Sequence, residues 1–270
     1  MATCGWVVPV VGAAIEHREA LIKGAGLLGS WLRKYPIAFT GMAGAGKTVL
    51  YDHLRGAAHS TSYRPPGKSE SLERAPAKLG KKRMALHVVP GQDSLPRVVA
   101  LDRLFLGRKP PLGVVHVVCN GFNELRSRYA ADIFREDLQL RTVEALRNKL
   151  RELELDDLDE TCDRVRQAIH RRRRTHWMIV AVAKADLFAD NLEEAQAYYE
   201  TDPNSPFVKR LRRLQSQAGS DSFRWAAAPV CCWLEDYIWN GSTVQSRVDS
   251  GRRNQMLLDF AKRLEDYSAT

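Results

Sequence analysis

Eight consecutive residues, Gly41-Met42-Ala43-Gly44-Ala45-Gly46-Lys47-Thr48, carry the clearest chemistry in this chain. Glycine at the first and sixth positions, followed by a lysine and a hydroxyl residue, is the phosphate-loop pattern. Glycines let the backbone curl so that successive N–H groups converge on an anion, and a following helix adds its positive end. Lys47 then reaches the β- and γ-phosphates, Thr48 offers a hydroxyl to Mg²⁺, and Val49 carries the chain into the helix. Two further segments bear on which nucleotide is bound. In Val88-Val89-Pro90-Gly91-Gln92, the Gly91 N–H can sense a terminal phosphate and Gln92 can orient a water. In Ala183-Lys184-Ala185-Asp186-Leu187-Phe188, the Asp186 carboxylate can accept two hydrogen bonds from the N1–H and 2-amino group of guanine, a pair that adenine lacks. The alkyl stem of Lys184 can lie across the base.

These groups need a scaffold that holds loops at strand ends. Residues 37–40 read as a short buried strand ending at the phosphate loop, and residues 48–54 as the helix after it. Residues 84–89 form a second strand, broken by Pro90-Gly91. Residues 113–119 form a third, a β-branched run of the kind buried on both faces of a parallel sheet. A fourth spans 177–183 and a fifth lies within 223–233. Strands alternating with helical stretches predict a doubly wound α/β sheet. Residues 60–79, rich in Ser, Pro, Gly and charge, read as a mobile loop.

Between the third and fourth strands, residues 123–174 read as a long charged helical insertion. Leu155, Leu158, Cys162, Val165 and Ile169 form one apolar stripe. Phe134, Leu138, Leu146, Leu150 and Leu153 suggest another, so a helical hairpin is expected, bending near Asp156, Asp157, Asp159 and Glu160. Residues 11–34 predict an N-terminal helix weakened by Gly24, Gly26 and Gly29, and residues 252–267 a final one. The expected organisation is an N-terminal helical extension, 1–34, followed by a nucleotide domain, 35–270, that includes the insertion.

The order and spacing of the three loops resemble the Ras-like GTPase superfamily, and the Pro-Gly-Gln form resembles Arf-like proteins and the small bacterial polarity GTPases. The resemblance covers roughly residues 35–233, with the insertion outside it. It implies an α/β phosphate-loop NTPase fold, GTP/GDP and Mg²⁺ as ligands, and slow or partner-dependent GTP hydrolysis. Gly41 through Thr48 would hold phosphate and metal, Gly91 the γ-phosphate and Gln92 the attacking water. Ala183, Lys184, Asp186 and Leu187 would form the base site. Thr61 would complete the Mg²⁺ shell as the switch threonine, with Ser60 and Ser62 as competitors. Either Ala226-Ala227-Ala228 or Cys231-Cys232 would supply a backbone contact to the guanine oxygen. The loops at 60–79 and 92–97 would order around GTP and signal to a protein effector or regulator. Two positions depart from the family: Val88 replaces an Asp that holds Mg²⁺ through water, and Ala183 replaces an Asn that braces the base site. These departures keep open a nucleotide-binding interaction module without turnover; an ATP-using kinase or ATPase is the other alternative. Arg64 and Arg97 are candidate internal arginine fingers, more readily read as surface arginines.

Composition bounds the rest. With 44% hydrophobic and 27% charged residues in 270, the chain belongs to the ordinary globular class. A formal charge of +9 favours phosphates and other polyanions. A nucleic-acid role for Arg171, Arg172, Arg173 and Arg174 is less expected, because the acidic helix beside the run can pair with it. Five scattered cysteines without metal-ligand spacing suit a reduced cytoplasm. No stretch reaches the roughly 18 apolar residues of a membrane span. The N-terminal helix remains a candidate for peripheral membrane contact. His116, within the third strand, reads as core.

Overall fold

A computed structural model describes residues 36–269 apart from 60–62, 67–71, 80–81, 92–93, 126–127, 173–174 and 220. The N-terminal helix, Thr61 with its neighbours Ser60 and Ser62, and Gln92 lie outside the described residues. Six strands form one sheet in the order β2-β3-β1-β4-β5-β6. These are β1 (Pro36–Thr40), β2 (Glu73–Leu79), β3 (Lys82–Val88), β4 (Gly113–Val118), β5 (Trp177–Val182) and β6 (Arg224–Pro229). All neighbours are parallel except β2 and β3. The central strands β4 and β5 are buried at every position, as their unbroken apolar runs require.

Strand β2 corrects the expectation of a loop across 60–79. Its sequence, Glu-Arg-Ala-Pro-Ala-Lys-Leu, carries no strong strand signal. The ladder to β3, from Glu73↔Val88 to Leu79↔Lys82, makes it a strand at the sheet edge. An edge position tolerates charge and a proline that has no N–H to give.

Alternation along each strand sorts side chains to two faces. Val114, Val118, Met178, Val180 and Val182 face one core, while Val115, Val117, Ile179 and Ala181 face the other. The first face is covered by α2 (Leu95–Phe105), α4 (Val143–Arg172), α5 (Leu192–Gln196) and α6 (Pro206–Ala218). The second is covered by α1 (Lys47–Leu54), with Phe260 and Leu264 of α7 (Ser250–Ser268). Further elements are a short α3 (Arg128–Glu136) and a hairpin of β7 (Tyr237–Trp239) and β8 (Ser242–Val244), with short 3-10 and π turns between elements.

The expected helical hairpin is instead one uninterrupted helix of 30 residues, α4, preceded by the short α3. There is no bend at 156–160. Leu146, Leu150, Leu158, Val165 and Ala168 all enter the same core, so the two stripes are one. Glu154 and Thr161 continue that buried stripe, and the Asp157 side chain is only 8% exposed. Polar residues in the middle of an apolar face gave the false signature of a break. The α4 helix packs on α2 and α6 as a structural wall of the domain. A mostly parallel six-stranded sheet flanked by helices, with a phosphate loop joining its first strand to a helix, is the phosphate-loop NTPase fold.

Candidate functional site

The phosphate loop leaves the end of β1, a central strand, and enters α1. Gly41, Gly44 and Gly46 all have positive φ (125°, 74° and 95°), the left-handed region that glycine enters without penalty. Space matters as well as angle: a Cβ at Gly41 would overlap the Val117 carbonyl oxygen on β4. Ala45 is fully buried and anchors the loop from below. Lys47 is 6% exposed, and its Nζ donates to the carbonyls of Gly41 and Met42, each at 2.7 Å. Thr48 is partly exposed in the first turn of α1.

A cavity of about 810 Å³ opens beside this loop. Gly46 and Val49 line it together with Ala183, Lys184, Asp186 and Leu187. Cys232, Trp233 and Tyr237 also line it, as do Arg135 of α3 and Trp239 of β7. The structure therefore brings the β1 and β5 loops together on one cavity, at the C-terminal ends of parallel strands, where such sheets bind ligands. Cys232, rather than Ala226-Ala227-Ala228, comes to the pocket; the three alanines lie within β6.

Asp186 is 1% exposed. Its Oδ1 accepts from the Cys231 thiol at 3.2 Å, while its Oδ2 is buried without a hydrogen-bond partner in the protein. Burial and the adjacent carboxylate push the Cys231 thiol well up, so it remains a protonated donor. A buried carboxylate oxygen left unpaired is costly unless a ligand donates to it. Lys184 has φ of 55°, left-handed for a residue with a side chain, a strain of the kind concentrated at ligand sites. Its Nζ donates to Phe122 O at 2.9 Å and to Glu124 Oε1 at 3.1 Å.

Further contacts tie this segment to the phosphate loop. Asn123 Nδ2 donates to Ala43 O at 3.4 Å, and Glu124 N donates to Gly44 O at 3.4 Å. Lys184, residues 122–124 and the phosphate loop are thus braced through the β4 loop. Ala183 itself is buried, its N–H donating to Val118 O. The sequence reading overlooked Asn123 and Glu124, which carry no motif of their own.

Val88 is fully buried in the core and offers no metal ligand. Among the described residues no cluster of three His, Cys, Asp or Glu side chains is placed to hold a metal. Gly91 lies against the phosphate loop: its carbonyl accepts from Ala43 N at 2.7 Å. Residues 95–97, expected within a switch loop, form the start of α2. Arg97 is not a surface arginine but 2% exposed beneath the loop, whereas Arg64 is exposed and donates to Tyr63 O. His116 is core, as expected, with its Nδ1 3.0 Å from Thr40 Oγ1. No described helix is long and apolar enough to cross a membrane.

No protein-family model matches the chain, and no curated protein matches it. Among solved structures it is similar to one described as the structure of the mammalian SRP receptor, at 16% identity and a TM-score of 0.45, covering 86% of this chain and 99% of that one. It is also similar to the crystal structure of a mutation variant of SsGBP, at 13% identity and a TM-score of 0.41, covering 96% of this chain and 65% of that one. Likeness at this level carries no functional argument. The site has to be read from its own residues.

Proposed function

We propose that this chain is a guanine-nucleotide-binding switch with slow or partner-dependent hydrolysis. The observation that carries the reading is the Asp186 carboxylate, buried and lining a cavity that adjoins the phosphate loop, with Oδ2 unpartnered. The N1–H and 2-amino group of guanine supply the donors that such a carboxylate needs; adenine presents an acceptor at N1. Cys231 holds the other oxygen, the stem of Lys184 would cover the base, and the Cys232 backbone N–H would meet the base edge. Backbone N–H groups of residues 41–48 and the α1 N-terminus would receive the phosphates, with Lys47 turning from its loop carbonyls onto the β- and γ-phosphates. Gly91 would meet a γ-phosphate, and Gln92 would orient water. Mg²⁺ would be held by the phosphates, by water and by Thr48, with Thr61 completing the shell; this ion keeps much of its hydration in nucleotide sites. The partners implied are GTP or GDP and a protein effector or regulator.

Titration calorimetry with GTP, GDP and ATP in Mg²⁺ tests this reading. Lys47→Ala should weaken both guanine nucleotides about ten- to a hundredfold, the worth of a charge-assisted contact. Asp186→Ala should weaken them about tenfold or more and leave ATP unchanged. Equal affinity of the wild type for ATP and GTP would sink the guanine assignment and favour ATP chemistry. A second reading, a nucleotide-stabilised interaction module, is favoured by the burial of Val88 where a metal-holding carboxylate is expected. Tight GTP binding without phosphate release, alone or with a partner, would select it.

A further inference from the structure

Beneath the phosphate loop the buried polar groups form one connected set. Arg97 Nη1 donates to Gly41 O and to Pro90 O, both at 3.2 Å. Its Nε donates to Glu160 Oε2 at 2.9 Å, and its Nη2 pairs with Asp157 Oδ1 at 2.6 Å. Asp157 Oδ2 lies 3.8 Å from His116 Nε2, and the other ring nitrogen of His116 is bonded to Thr40. One guanidinium therefore ties together three segments: the first residue of the phosphate loop, the turn that leads into Gly91, and helix α4. Both carboxylates that hold it belong to α4, at positions where the helix's apolar stripe is interrupted.

The turn that Arg97 holds sits on the donors for a terminal phosphate. Gly91 O takes the Ala43 N–H, and a Cβ at Gly91 would overlap the Lys47 ammonium. One N–H makes one strong hydrogen bond, so a terminal phosphoryl group that takes the Ala43 donor must displace the Gly91 carbonyl. That displacement moves Pro90, and Arg97 restrains Pro90 through its carbonyl. A diphosphate, which ends one phosphoryl group short, makes no such demand.

We propose that Arg97 is a positioning residue for the terminal-phosphate end of the site, and that α4 sets the preference between nucleoside di- and triphosphate by holding it through Asp157 and Glu160. The inference rests on the nucleotide-binding reading above and goes beyond it by assigning the helical insertion a regulatory role. A partner that engages α4 near these carboxylates would shift the protein toward the triphosphate state without touching the nucleotide.

The test compares dissociation constants for GDP and the non-hydrolysable analogue guanosine 5′-(β,γ-imido)triphosphate, with Mg²⁺, on the full chain and on Arg97→Lys, Asp157→Asn and Glu160→Gln. Loosening the turn in Asp157→Asn and Glu160→Gln should raise the preference for the triphosphate about fivefold, roughly one hydrogen bond's worth, with GDP affinity within about twofold of wild type. Arg97→Lys, which also loses its hold on Gly41 O, should raise the same ratio while weakening both nucleotides. A purely structural role would move both constants together. An unchanged ratio in folded Asp157→Asn and Glu160→Gln, which lie on α4, overturns the inference while the nucleotide reading stands. Should Arg97→Lys not fold, those two variants decide alone. A wild type that binds neither nucleotide removes both readings, and is recognised before any variant is measured.

Discussion

At the scale of single residues, this protein places ionisable groups where water is absent and lets geometry decide their state. His116 is the clearest case. Burial first, and then the nearby Arg97 and Lys47 charges, lower its pKa from 6.5 to about 3, so it is neutral beside Asp157. His87 on β3 is lowered in the same direction to about 4, by burial and then by Arg74. An unfolded chain takes up these protons below its own pKa near 6.5, whereas the folded chain resists until far lower pH. The stability contributed by neutral His116 is therefore complete above about pH 6.5 and is lost progressively as pH falls toward 3. Urea unfolding at about pH 7.5 and about pH 5 should show a smaller pH-dependent loss in His116→Gln than in wild type. Equal losses would mean that this histidine carries none of the acid sensitivity.

At the scale of elements, α4 is the part whose role depends most on its polar residues. Glu154 is 2% exposed and accepts from Cys119 N at 2.8 Å, Gly121 N at 3.3 Å and the Tyr199 hydroxyl at 2.7 Å. It pins the helix to the loop after β4, the same loop whose residues 122–124 brace the phosphate loop and Lys184. Burial raises its pKa, against hydrogen bonds that pull it down. Glu154→Ala would leave two backbone N–H groups and a phenol unpaired in a dry environment, and should cost about 3–5 kcal/mol in denaturant unfolding. Glu154→Gln keeps an oxygen for the two N–H groups and should cost markedly less. Similar losses in both variants would show that charge, rather than the hydrogen-bond set, is what this contact needs. Strand β2 makes the opposite point: its place comes wholly from pairing with β3, since its own sequence carries little strand signal.

At the scale of the whole molecule, the sheet divides the work. One face, under α1 and much of α7, supports the phosphate loop from its helix side; the other, under α2, α4, α5 and α6, supports it from beneath through Arg97. A ligand that bridges the phosphate loop and the β5 loop binds the folded state alone and must stabilise the entire chain by mass action. At about a hundred times its dissociation constant, GDP should add about 2.7 kcal/mol, which for a protein of this size raises Tm by roughly 5–10 °C. Differential scanning calorimetry checks this, and Lys47→Ala should cut the rise to about half or less at the same GDP concentration. An undiminished rise would place the ligand elsewhere.

The amino-acid sequence by itself determined the phosphate loop, the burial of β4 and β5, and the α/β class. Each rests on local rules: glycine's access to positive φ, the two-residue period of strands, and the apolar runs of strands buried on both faces. It also singled out Asp186, because residue type and place after a strand suffice to suggest a base-reading carboxylate. Tertiary structure alone decided that Asp186 keeps an unpaired oxygen at a cavity, that Lys184 and residues 122–124 are hydrogen-bonded to one another and to the phosphate loop, and that Arg97 is buried. It also decided that α4 runs straight through Asp156, Asp157, Asp159 and Glu160. The physical reason is common to all four. Buried polar groups are placed by partners distant along the chain, here 45 or more residues away, where no local pattern can announce them.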